Sequence, residues 1–243
     1  MTNRLPQLSS TDTDLTRVAI SPYTRLRGMA VTAGRRHLGV PLRRHFPTDV
    51  FRIYHRFRRR VAPSRYIDGN PFEVFEVDPH LIEYSVLARS PKRPQWGRIA
   101  AGEWDREVEP FDERLVPRAI MQRFDDGMEW DQTDLVEAFT RDLRRFGAAW
   151  NYRSISGFDS RCREIDRLYR NIATSGYRTQ RSFGYTPLDE INVDIDRDGR
   201  PVWRCYGQHR LAIAKLLDID RVPVIVPRRH AAGVDDTLLE PSR

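Results

Sequence analysis

Apolar residues return at helical spacing in several stretches of this chain and in short strand-like runs elsewhere. Over 49–61, Val50, Phe51, Ile53, Tyr54 and Phe57 supply an apolar side and Arg52, Arg56, Arg58, Arg59 and Arg60 a basic one. That pattern predicts an amphipathic helix, which Pro63 ends. A short helix is expected over 117–124, opening at Pro117 and closing before Gly127. Over 133–146, Leu135, Ala138, Phe139, Leu143 and Phe146 share one face, and Gly147 is a natural stop. Over 159–175, Cys162, Ile165, Leu168, Tyr169 and Ile172 make another stripe, closed by Gly176. The runs 72–77, 191–195 and 222–226 read as strands, with Asp198-Gly199 as a turn into a return strand at Val202 and Trp203. A short helix over 211–217 precedes the last of these strands. Helices and short strands in this mixture predict an α+β fold.

Composition narrows the class. Of 243 residues, 40% are hydrophobic and 10% aromatic, enough for a packed core, so wholesale disorder is not expected. No apolar run reaches the length of a membrane span, and the polar start of the chain lacks a secretory signal's apolar region. The expected location is the cytoplasm, with no transmembrane segment. Cys162 and Cys205 form neither a CxxC pair nor a metal cluster and read as two reduced thiols; no metal ligand set is expected. The net charge of +7 is unevenly placed: residues 1–66 hold fourteen arginines against three aspartates, a net of +11, which leaves −4 for the rest. The expected organisation is a basic, partly helical N-terminal extension over 1–66, with a loose leader over 1–20. A main domain over 67–230 and a flexible tail over 231–243 follow.

The most informative stretch runs from Ile191 to Val226 in the order strand, turn, strand, Gly207-Gln208-His209-Arg210, helix, strand. A glycine before a helix lets backbone bend close to a ligand. The first turn of a helix offers free N–H groups and a positive dipole end, and His209 and Arg210 add donors and charge there. These features suit a phosphate; equally, Arg210 is free to pair with a carboxylate such as Asp194.

The run from Gly207 to Lys215 resembles the G-x-[HR]-R helix of the ParB/sulfiredoxin superfamily. Residues 165–176 resemble that family's helix before the core, 191–203 its hairpin, and 216–226 its closing helix and strand. The resemblance covers about 160–228, roughly a third of the chain. It implies a small mixed sheet packed with helices, a core motif region at 158–228 and helical elaboration over 81–157. It also implies binding of a nucleoside triphosphate or diphosphate (ATP or CTP) with Mg²⁺, and a Mg²⁺-dependent NTPase or phosphotransferase activity. Gly207, Gln208, His209 and Arg210 would cradle phosphates, and Gln180 would lie near the nucleotide. Gln208 stands where sulfiredoxins carry their catalytic cysteine, so sulfiredoxin chemistry is not expected. Only residues 228–243 follow the motif region, too few for the helix-turn-helix domain of partition proteins.

Two other clusters have competing readings. Glu103 and Asp105, flanking Trp104, suit a catalytic base or a contact to Mg²⁺; the alternative is a surface turn anchored by Trp104. Arg58, Arg59 and Arg60 suit nucleic acid, in a ParB-like DNA-binding or regulatory role, or an acidic membrane surface. The third reading docks their helix on the chain's own acidic body. Asp194, Asp196 and Asp198 alternate as in a calcium loop, but no glutamate follows at the required distance, and a hairpin turn is expected.

Overall fold

A computed structural model describes residues 48–87, 95–150, 152–233 and 240–241. The expected leader and the basic stretch up to residue 47 lie outside the described residues. The architecture is α+β: among the described residues, five α-helices and a mixed sheet.

The sheet is built around β5 (Ile191–Ile195), in which every residue is buried. One neighbour is β6 (Pro201–Trp203), antiparallel, and another is β7 (Val222–Ile225), parallel. Beyond β7 lie β1 (Val74–Val77) and β9 (Glu240–Pro241), both antiparallel to their neighbours. Beyond β6 lie β2 (Tyr84–Val86), parallel to it, and β4 (Val108–Pro110), antiparallel to β2. A side branch pairs β8 (Arg228–His230) with Ile195 of β5 and with β3 (Arg98–Ala100), both in parallel. Within the stretch expected as a flexible tail, Glu240 and Pro241 pair with Glu76 and Phe75 of β1.

The helices are α1 (Thr48–Val61), α2 (Leu115–Phe124), α3 (Asp134–Phe146), α4 (Ile155–Ser175) and α5 (Gln208–Leu216). α3 stops at Gly147, whose positive φ of 68° lets its N–H bond the Leu143 carbonyl. α4 begins earlier than its apolar stripe, at Ile155, because the Ser154 hydroxyl accepts the Gly157 N–H and caps it. Its buried residues Phe158, Cys162, Ile165 and Ile172 join one core with β5 and α5. Phe139 of α3 stacks on Phe158 at 4.0 Å between ring centres. α5 also starts earlier than expected, at Gln208, and its Leu211, Ala212, Ile213 and Ala214 are all buried between α2, α4 and the sheet. Burying Leu211 and Ile213 contributes roughly 1.5–3 kcal/mol each. Cys162 and Cys205 are not joined in a disulfide, and burial pushes Cys162 up to about 12, leaving it inert.

Asp194 lies inside this core with no exposed surface, between the buried guanidinium groups of Arg204 (2.7 Å) and Arg228 (2.5 Å). Arg228 in turn lies 3.5 Å from the Trp104 ring centre. Asp194 is thus not the carboxylate that meets Arg210.

Candidate functional site

Tyr206 and Gly207 turn the chain from the sheet into α5, and both have positive φ, 31° and 77°. At Gly207 a side chain has no room: a Cβ would stand 2.9 Å from the Ile191 Cα. The α5 N-terminus therefore lies directly against the start of β5. Gly207 supplies no side-chain cap. The N–H groups of the first helical residues have no intrahelical acceptor, so Gln208, His209 and Arg210 present theirs at this end.

A cleft of about 410 Å³ opens there, lined by Gly207, Gln208, His209 and Arg210 together with Gln180, Asp189 and residues of α4 and the connecting loops. All five residues expected to bind nucleotide thus meet in one place. The sequence reading missed Arg161 and Leu168 of α4 and the aromatic walls Tyr185 and Tyr206. The available signal was spacing: Arg161 and Leu168 are seven apart, two turns along one helix face.

Beneath the cleft, Arg210 is held in place. It donates to the Tyr177 hydroxyl at 3.3 Å and to the Asp189 carbonyl, and lies 3.6 Å from the Glu190 carboxylate. Its carboxylate neighbour is Glu190, and the Gln180 N–H donates to the other oxygen of the same group at 2.5 Å. Burial pushes Glu190 up to about 7, against the opposing pull of the Gln180 N–H and the Arg210 charge. Burial, then the charges of Arg161 and Arg210, lowers His209 to about 3. His209 is therefore neutral near pH 7 and offers the cleft a donor rather than the charge expected of it. The positive charge comes from Arg161 and Arg210.

These two shifts have opposite consequences for stability. His209 ionises in the unfolded chain at about 6.5, so its contribution is complete above that pH and is lost as pH falls toward 3. Glu190 binds its proton more tightly when folded, so its contribution is complete below its ordinary value of 4.5 and is lost as pH rises through 7. Between 4.5 and 6.5 the two slopes oppose each other, and below 4.5 His209 is no longer opposed by Glu190. Glu190→Gln removes the opposing slope, so urea-derived stability of that variant should climb from pH 3 to 6.5 where wild type levels off above 4.5. Parallel profiles for the two proteins would show that Glu190 does not titrate in this range.

Glu103 and Asp105 are not brought to the cleft. Asp105 is buried, and both its oxygens accept from Arg197, at 2.7 and 2.8 Å. Those paired bonds hold its carboxyl well below the usual range, at about 2. Glu103 is exposed and pairs with Arg106 and Arg197. Arg197 follows the Ile195 end of β5, while Gly207 packs on Ile191. Four strand residues at about 3.3 Å each put roughly 13 Å between the two ends. The surface-turn reading fits this placement, with Trp104 half-buried against Arg228 and donating to the Ala100 carbonyl.

Arg58, Arg59 and Arg60 do not form one basic face, since successive helix residues point about 100° apart. Arg58 lies over the Tyr54 and Tyr66 rings. Arg59 turns inward to the Tyr66 carbonyl and Asp68, and Arg60 is exposed. Among the described residues no group of three His, Cys, Asp or Glu side chains is placed to hold a metal, and no helix is long and apolar enough to cross a membrane. No family model, no curated protein and no solved structure matches this chain.

Proposed function

We propose that the chain binds a nucleoside triphosphate or diphosphate at the N-terminus of α5, as ParB/sulfiredoxin-like domains do, and hydrolyses it or transfers its terminal phosphoryl group to a small acceptor. The observation that carries this reading is the convergence of Gln180, Gly207, Gln208, His209 and Arg210 on one cleft. The N–H groups of the first turn of α5 would hold phosphate oxygens, favoured by the helix dipole. Arg161 and Arg210 would balance the anionic charge, and Tyr185 and Tyr206 offer rings for the base. Asp189 is the carboxylate among the cleft's lining residues. Mg²⁺ commonly needs no more than one or two protein carboxylates, with phosphates and water completing its shell, so Asp189 fits that part. Bound there, Mg²⁺ would neutralise phosphate charge; positioning and charge balance dominate phosphoryl transfer.

The test is a thermal-shift series with ATP, CTP, GTP and their diphosphates, with and without Mg²⁺. A nucleotide at about 100 times its Kd should add about 2.7 kcal/mol of stability. Arg161→Gln, at a half-exposed wall of the cleft, and Arg210→Ala should both reduce that gain. If no nucleotide stabilises the folded wild type, the reading fails. Salt-sensitive binding of duplex DNA in its place would favour a DNA-binding regulatory module.

A further inference from the structure

α1 is docked with its apolar surface facing away from the protein. Its inward side is narrow: Phe51 meets Trp96 at 4.7 Å between ring centres, and His55 is buried against Tyr66. Arg52 and Arg59 bond to Asn70 and to Asp68 and the Tyr66 carbonyl on the same side. The remaining apolar residues, Val50, Ile53, Tyr54, Phe57 and Val61, are 51–70% exposed. At about 100° per residue they fall within one arc of about 100° on the far side. Arg56 and Arg60 border that arc on one edge and Arg58 on the other. Where arc and border meet, Ile53, Phe57 and Pro63 line a groove of about 670 Å³ with Arg56, Arg59 and Arg60.

We propose that this outer face of α1 docks on an acidic phospholipid surface, with the apolar arc in the acyl boundary and the bordering arginines among the phosphate headgroups. An apolar strip flanked by cations along a helix of about 21 Å is the geometry of a helix lying in a membrane interface. Charge selects this occupant over the others. A second copy of the face would oppose Arg56, Arg58 and Arg60 with the same residues. Residues 1–47 hold eight arginines against two aspartates and would meet like charge. Nucleic acid would set its phosphates against five apolar side chains. An acidic bilayer satisfies both the strip and its border, and the basic residues upstream add to the attraction.

Vesicle pelleting of the full-length protein tests this, with vesicles of phosphatidylcholine alone and of phosphatidylcholine mixed with phosphatidylglycerol. The protein should pellet with the acidic vesicles only, and less as salt rises. Ile53→Glu with Phe57→Glu, both at exposed positions, should lower partitioning on the order of a hundredfold. Arg56→Gln with Arg60→Gln should lower it about fivefold per charge. Phe57→Trp gives a reading independent of those variants: its emission should shift to the blue with acidic vesicles. Failure of wild type to pellet overturns the proposal. So does pelleting undiminished by the double glutamate variant, which would assign binding to residues 1–47. Self-association of wild type that the same variant abolishes, with vesicles ignored, would make the occupant a second copy. Duplex DNA bound while vesicles are ignored would make it nucleic acid.

Discussion

Asp194→Ala is expected to remove about 3–5 kcal/mol of stability, the usual cost of breaking a buried ion pair from one side. Asp194 is completely enclosed, and the side chains of its partners Arg204 and Arg228 are only 3% and 4% exposed. One oxygen takes the bonds from both guanidinium groups. Without the carboxylate, the two buried guanidinium groups lose the negative charge that lies between them. A domain of this kind has a total of about 5–15 kcal/mol to lose. The measurement is the urea midpoint of the variant against wild type. Asp194→Asn keeps the volume and removes the charge, so it should retain most of the loss. A change below about 1 kcal/mol in both variants would mean that the cluster does not anchor β5 to β8.

Gly207→Ala is expected to cost about 3 kcal/mol and to disturb the cleft at the same time. About 1–2 kcal/mol comes from placing a Cβ on a left-handed residue. The rest comes from position: the new atom would lie 2.7 Å from the Ile191 Cγ1 and 2.9 Å from its Cα. The side chain has some freedom to move, but the Cα belongs to the central strand, so α5 must shift away. Gly184 separates the two effects, because it has a similar φ of 75° and nothing within 4 Å of its Cβ position. Gly184→Ala should lose only the conformational part. Equal losses at the two positions would show that α5 has room to retreat from β5. A nucleotide-induced thermal shift that survives Gly207→Ala unchanged would place the ligand elsewhere.

Periodicity made much of this fold legible, because it reports which face of an element is apolar and needs only local residues. The stripe at Leu135, Ala138, Phe139 and Leu143 located α3, and the alternation at Ile191, Val193 and Ile195 located β5. The strands β2, β3, β4 and β8 escaped it. Each has three residues, too few to show a period, and sequences such as Arg228-Arg229-His230 become strand only through pairing with distant backbone. The site divides in the same way. Gly207 through Arg210 announced a helix start with donors, which is local chemistry. Arg161 reached the same cleft through the packing of α4 against α5, and Asp105 was drawn away by Arg197, 92 residues distant in sequence. α1 shows the limit most directly. The sequence alone determined that the helix is amphipathic and where it ends. Tertiary structure alone decided that Phe51 and His55 face the body and the broader apolar arc faces out, because only the partners Trp96 and Tyr66 choose which side is buried.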